Sequence, residues 1–311
     1  MGAKSIVPNA SRPIPRPASR PISTAAMSRV SMRVGSSSRE ALLPAAIASS
    51  NTMALVNVED VGGVRHVVLN RPEKRNALSR EVILELAAVL EAAAVDDSVR
   101  VVVLRAEGPM FSSGMDLKDL RELSENPERT REGRRPILQA WNLLEEMPKP
   151  TICQIHGAAL GGAFELALAC DFRTMAEDAV AGIMEVRVGL LPDVGGCSRL
   201  PAVVGLGNAK ELIMTGKVID GREAHRIGFA NRIAPAAELD SLTETLANEL
   251  LACAPRAVGL AKRVMDASAK PALAITLEQE IAAQEVLAAS EDFAEGARAF
   301  FEKRDPEFVG R

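Results

Sequence analysis

Residues 152–171 read ICQIHGAALGGAFELALACD, and the fold turns on this stretch. An apolar run ends at Ile155. A turn of small residues follows, Gly157, Ala158, Ala159, Leu160, Gly161, Gly162 and Ala163, then Phe164 and Glu165, and 166–170 is apolar again. This pattern predicts a buried strand, a tight turn and a helix starting near Gly162. Small side chains let another group approach the backbone closely. The first amides of a helix have no intrahelical partner and lie at the positive end of its dipole. Such a turn suits negative charge developing on an oxygen. Glu165 would sit in the first helical turn beside an otherwise apolar face. A buried acid there costs free energy unless it is paired or used. The plain alternative is a Gly-rich helix start that only packs tightly, with Glu165 capping its own amides.

Upstream, 64–69 alternates loosely and predicts a strand. NRPEKRNA at 70–77 is a turn with basic side chains. Ser79 is placed to cap a helix over 81–94, with Val82, Leu86, Val89 and Leu90 on one face. Residues 99–104 read as a strand covered on both faces. EGPMFSSGMDLK at 107–118 is a loop of small residues, with Asp116 placed to cap the next helix. Residues 121–136 carry charges of both signs and few apolar side chains, which predicts a solvated, mobile segment. Helical spacing resumes at 138–147, where Pro148 stops it.

Downstream, 172–175 predicts a short strand. Glu185 lies among apolar residues in GIMEVRVGLLPDVGG, and Asp193 follows eight residues later. Glu185 is either a strand-edge acid in water or a second buried carboxylate. Helical patterning dominates from Gly205, over 208–215, 221–227, 239–253, 256–269, 274–289 and 293–303. Strands alternating with helices, then helices alone, argue for an α/β core over 53–235 and a helical region over 236–311.

The chain has 311 residues, 47% hydrophobic, enough for a substantial core. It has no Tyr and a single Trp, Trp141, so base-stacking side chains are scarce. Net charge is −4. Cys153, Cys170, Cys197 and Cys253 are widely spaced and read as reduced cysteines, not a disulfide frame or zinc site. His66, His156 and His225 show no metal-ligand spacing. No apolar run reaches the ~18 residues that cross a bilayer. Residues 1–52 are rich in Ser, Pro, Ala and Arg, with seven basic residues and no acid before Glu40. Such a segment buries too little apolar surface to offset its ordering entropy, so disorder is expected. It is either an inert tail, with Met53 as the natural start of a cytoplasmic protein, or a mitochondrial transit peptide. Pro13, Pro15, Pro17 and Pro21 spoil the amphipathic helix of a transit peptide.

Four blocks, NRPEKRNALS (70–79), FSSGMDL (111–117), HGAALGGAFELALACD (156–171) and EVRVGLLPDVGGCSRLP (185–201), resemble the enoyl-CoA hydratase/isomerase (crotonase) family in order and spacing. The ending AFFEKRDPEF (299–308) matches too. The resemblance implies a ββα spiral core, helices that pack into trimers or hexamers, and an acyl-CoA thioester substrate with no separate cofactor. It implies an oxyanion hole from the amides of Met115 and Gly162, with Glu165 activating water at Cβ and Glu185 moving the proton at Cα. Lys74 and Arg75 resemble the CoA-contacting turn, and Ser113 and Leu117 the adenine-side loop. Ala77, Gly114, Asp116 and Gly161 count among its substrate-binding residues. Phe300 and Lys303 match residues that reach CoA from a neighbouring subunit. Two positions depart from the pattern. Ala163 stands where a third Gly is frequent, narrowing the pocket slightly. Asp193 adds an acid that many hydratases lack and that the dienoyl-CoA isomerase branch has.

The enzymatic readings that follow are hydration of a 2-enoyl-CoA and, through Asp193, isomerisation of a 3,5-dienoyl-CoA or another crotonase-type dehydration. RNA binding, shown by another branch of the family, needs a lysine-rich first helix. Here that helix, SREVILELAAVLEAAA, has one Arg and three Glu, so neither nucleic acid nor membrane is expected as a partner.

Overall fold

A computed structural model describes residues 54–311; the expectations for residues 1–52 lie outside them. Strand β1 (Val56–Val61) turns at Gly62 and Gly63 into β2 (Val64–Leu69), its antiparallel partner. Ser79 accepts from the Val82 amide and opens helix α1 (Arg80–Val95), which buries Val82, Ile83, Leu86 and Leu90. Next come β3 (Val101–Ala106), α2 (Leu117–Glu125) and α3 (Thr130–Glu146). The 152–171 region supplies β4 (Thr151–Ile155), β5 (Ala158–Leu160) and α4 (Gly162–Ala169). Then follow β6 (Phe172–Ala176), β7 (Val180–Gly182), α5 (Gly196–Thr215), β8 (Val218–Asp220), α6 (Gly221–Arg226) and β9 (Arg232–Ala234). Helices α7 (Leu239–Leu251), α8 (Pro255–Ala269), α9 (Leu273–Ala288) and α10 (Glu291–Glu302) end the chain.

The larger sheet runs β1-β2-β3-β4-β6-β9 and is parallel from β2 onward. The smaller runs β5-β7-β8. Parallel strands are covered on both faces, which accounts for the fully buried TICQI of β4. Trp141, Phe111, Phe164 and Phe229 fill the core, with Phe164 stacked on Phe229 at 4.3 Å between ring centroids. Helices α9 and α10 return to the first half of the chain: α9 packs on α3 and α5, and α10 on α2 and the 3-10 turn Glu185–Val188.

The segment 121–136 is a correction. It is mostly helical, and Leu123 and Thr130 are buried. Its charges are anchored by partners remote in sequence, Arg131 on Glu278 and Glu285, and Arg134 on Asp193. Helix α5 is also longer than 208–215. It starts at Gly196, bends at Gly205, and its first amides are accepted by carboxylates from other helices.

Candidate active site

Glu165 lies in the first turn of α4, as its stretch predicts, and is 2% exposed. It does not cap its own helix. Its Oε1 accepts from the Val194 and Gly196 amides at 3.0 and 2.8 Å. Glu185 opens the 3-10 turn after β7, so it is no strand-edge acid. Its Oε2 is sealed from solvent and meets no partner among the described residues. Both acids line one cavity of about 360 Å3, shared with Asp193.

Burial raises Glu165 well above the usual carboxylate range, and the neighbouring charge of Glu185 adds to this. Burial also pushes Glu185 up to about 7, against backbone donors at its own position. The two titrate as a coupled pair. The Val194 amide on Oε1 opposes the rise on Glu165, and the proton the two acids hold belongs to the pair. Asp193 is raised by burial too, opposed by Arg134. The Arg134 Nε donates to Asp193 Oδ2 at 2.5 Å.

The loop 111–115 and the start of α4 each bring a backbone amide to the cavity. Ser112 exchanges backbone hydrogen bonds with Ala158 and Leu160, which laces the loop onto β5. Leu78 donates to Gly114 O and accepts from Asp116 N, so the intervening Met115 amide points away from that bridge. Gly114 has φ +91°, and a Cβ there would lie 2.5 Å from Leu160 O, so only glycine allows the approach. Gly161, at φ +53°, likewise keeps open the space beside Glu185, whose Oε1 would sit 3.0 Å from an added Cβ. A Cβ added at Gly162 would lie 3.8 Å from the Met115 nitrogen, so these two amides are neighbours. Neither donates to an acceptor among the described residues.

Other expected residues divide into two groups. Ser113, Gly114, Leu117, Gly161 and Phe300 line the cavity together with Met115 and Gly162. Lys74, Arg75, Ala77, Asp116 and Lys303 do not. Lys74 and Arg75 are exposed on a turn joined to the cavity wall where the Ser113 amide donates to Arg75 O. Ala77 is buried, and its carbonyl accepts from Arg71. Asp116 caps α2 and pairs with Arg71 at 2.6 Å. Phe300 lines the cavity of its own chain, where the resemblance implies a reach to a neighbour. Ala163 is fully buried and is not part of the cavity lining.

Sequence reasoning passes over Asn76, Arg134, Glu280 and Gln284. Buried Asn76 ties the basic turn together, accepting from Arg71 N and donating to Glu107 O and Met110 O. Its KRNA context among charges carries no signal of burial. Gln284 lines the cavity and accepts from Leu191 N, while Glu280, one turn earlier, accepts from Gly195 and Ser198. Their spacing of four on one helix face was the available signal.

Two unpaired amides beside a pair of proton-carrying acids suit the chemistry of carbon next to a carbonyl, where an oxygen takes on charge as a proton moves. The comparisons agree with that class. The enoyl-CoA hydratase/isomerase family model matches residues 59–311, and the chain belongs to that family, which acts on acyl-CoA thioesters. The chain is 38% identical over 261 residues to the enoyl-CoA isomerase/hydratase fer4 of Mycosarcoma maydis, covering 81% of this chain and 94% of that protein. It is 40% identical over 257 residues to the human protein named enoyl-CoA hydratase domain-containing protein 2, mitochondrial, covering 80% and 86%. A crystal structure of an enoyl-CoA hydratase from Mycobacterium avium subsp. paratuberculosis K-10 superposes with a TM-score of 0.75 at 29% identity, covering 83% of this chain and 100% of the other. The fold is that of the crotonase family.

Proposed function

We propose that this protein is an enoyl-CoA hydratase, adding water reversibly to a 2-enoyl-CoA to give a 3-hydroxyacyl-CoA. The observation that supports it best is the placement of Glu165 and Glu185 in one cavity with the unpaired amides of Met115 and Gly162. Glu165, anchored through Oε1, accepts a proton from water through its other oxygen as the water oxygen bonds to Cβ. The thioester oxygen takes the electron pair as an enolate held by the two amides. Glu185 then delivers its proton to Cα. One such amide donor is worth ~10²–10³ in rate, and one positioned acid or base ~10²–10⁴. The reaction as written calls on no metal or redox cofactor, since CoA arrives as part of the substrate. Lys74 and Arg75 meet its phosphates beside the cavity, and Lys303 offers a point charge at the end of α10.

The quaternary reading is a trimer or hexamer, supported by the exposed apolar side chains of α8. Among the described residues no helix is long and apolar enough to cross a membrane. The compartment depends on residues 1–52: cytoplasmic for an inert tail, the mitochondrial matrix for a transit peptide. Fusing them to a fluorescent protein distinguishes the two.

Incubating the protein with crotonyl-CoA and following loss of the conjugated thioester absorbance tests the activity. Failure at every chain length, from folded protein, refutes it. Asp193 in the cavity favours one second reading, isomerisation of a 3,5-dienoyl-CoA, for which turnover of that substrate and its loss in Asp193→Asn would be required.

A further inference from the structure

We propose that Arg134 is a positioning residue that holds Asp193 in an ion pair and so keeps it out of proton exchange, leaving Glu165 and Glu185 to act as the acid and base of the reaction. The inference rests on the hydratase reading and says why a third carboxylate in the cavity does not turn the site toward double-bond shuttling.

The geometry carries it. Arg134 comes from the second turn of α3 and pairs with Asp193 in the cavity wall, with 13% and 6% of the two side chains exposed. The pair is therefore largely desolvated, and an unpaired Asp193 there would be pressed to take up a proton. Val194, the next residue, donates to Glu165, so the clamp on Asp193 also fixes the peptide that orients the base. Charge counting gives the same result. Glu165, Glu185, Asp193 and Arg134 face one another in a space of about 360 Å3 that Asp119, Arg187 and Arg304 also line. The Arg134–Asp193 pair is neutral as a unit. Glu165 and Glu185 cannot both ionise cheaply at close range, so they share one proton. One acid and one base is the state hydration requires.

Other charged groups face the site. Asp119 on α2, Arg187 in the 3-10 turn and Arg304 at the chain end also line the cavity, and Glu280 approaches from α9. Arg304 is engaged by Glu295 and Glu302. Glu280 is engaged by the Gly195 and Ser198 amides. Among the described residues Arg134 alone forms an ion pair with Asp193.

The test compares wild type with Arg134→Gln, Arg134→Lys, Asp193→Asn and the double variant Arg134→Gln/Asp193→Asn. The readouts are the pH profile of kcat/KM on a 2-enoyl-CoA and the ratio of 3,5-dienoyl-CoA isomerisation to hydration. Losing the guanidinium removes a positive charge that favours the ionised acids, so Arg134→Gln moves both limbs of the profile to higher pH, by about one unit. The isomerisation ratio rises by about tenfold as Asp193 enters proton exchange. Arg134→Lys restores most of the profile. Asp193→Asn removes a negative charge and moves the limbs to lower pH, the opposite sign. The double variant replaces one neutral pair by another and returns the profile toward wild type. A merely structural role would lower activity without these opposed shifts. If Arg134→Gln does not fold, the opposite-signed shift in Asp193→Asn and the recovery in the double variant still decide. An unchanged profile in Asp193→Asn, or a double variant no nearer wild type than either single change, overturns the proposal. Wild type that fails to hydrate any 2-enoyl-CoA sinks the hydratase reading and the proposal with it, whereas hydration with unmoved profiles sinks the proposal alone.

Discussion

Glu165 has two tasks that a single substitution can separate. Its Oε1 satisfies the Val194 and Gly196 amides, and its other oxygen is free for water. Glu165→Gln keeps an acceptor for those amides but loses the base, so kcat/KM should fall at least ~100-fold with little change in thermal midpoint. Glu165→Ala loses both and leaves two buried donors unsatisfied, a further cost of about 1–3 kcal/mol for each group in denaturant titration. Glu185 has no second task of this kind, because its Oε2 meets nothing. Glu185→Gln is therefore expected to lose a comparable ~100-fold in rate, with little change in stability below about pH 4.5, where the acid is neutral in both states. Near-normal turnover in either Gln variant contradicts the roles assigned. Both glutamates, with Asp193, were legible in the sequence because each is an acid set in apolar surroundings within a patterned block. Arg134 was not. Its partner lies 59 positions away, and nothing in ERTREGRR separates the arginine that turns inward from those that stay in water.

Helix α9 shows what an element can do that its own residues do not announce. Glu280 and Gln284, one turn apart, bind the backbone of the loop that carries Asp193 and starts α5. Burial pushes Glu280 up to about 7 from an ordinary 4.5. Raised in the folded state, it contributes stability that is fully present below about pH 4.5 and is lost as pH rises through about 7. Glu185 has the same sign and window. Stability to urea should accordingly fall between about pH 5 and pH 8, and Glu280→Gln should flatten that fall. Glu280→Ala, measured at one pH, is expected to cost about 3 kcal/mol, since two amides lose their acceptor. A steeper pH dependence in Glu280→Gln contradicts the assignment. Elements whose packing is local were legible in the sequence. Helix α1 begins at its Ser79 cap, and α4 begins at Gly162, where the small-residue turn ends. Elements held by distant partners were not. The strands β5, β7 and β8 have three residues each, too few for any period to register. The start of α5 looks like a loop because its N-terminal amides are met by Glu165 and Glu280 from other helices.

At the scale of the molecule, an apolar face of α8 remains outside the core. Leu260, Val264 and Met265 of α8 are 62%, 68% and 63% exposed. Leu260 and Val264 are four apart and stack on one side of the helix, with Met265 beside them. At about 25 cal/mol per Å2, burying such side chains against another copy is a driving force of several kcal/mol before the costs of association. Light scattering on wild type is expected to give a trimer or hexamer. Val264→Asp/Met265→Asp should give a folded monomer, because the substituted side chains support nothing inside the chain. The cavity should survive that dissociation. Phe300 and Pro306, the last contributors to its wall, come from the same chain as Glu165 and Glu185. The monomer is therefore expected to raise KM for an acyl-CoA by less than about tenfold, the loss confined to contacts that a second subunit adds outside the wall. A monomer that folds but no longer binds thioester would mean that the wall is completed by another copy, and that the C-terminal helix works across subunits after all.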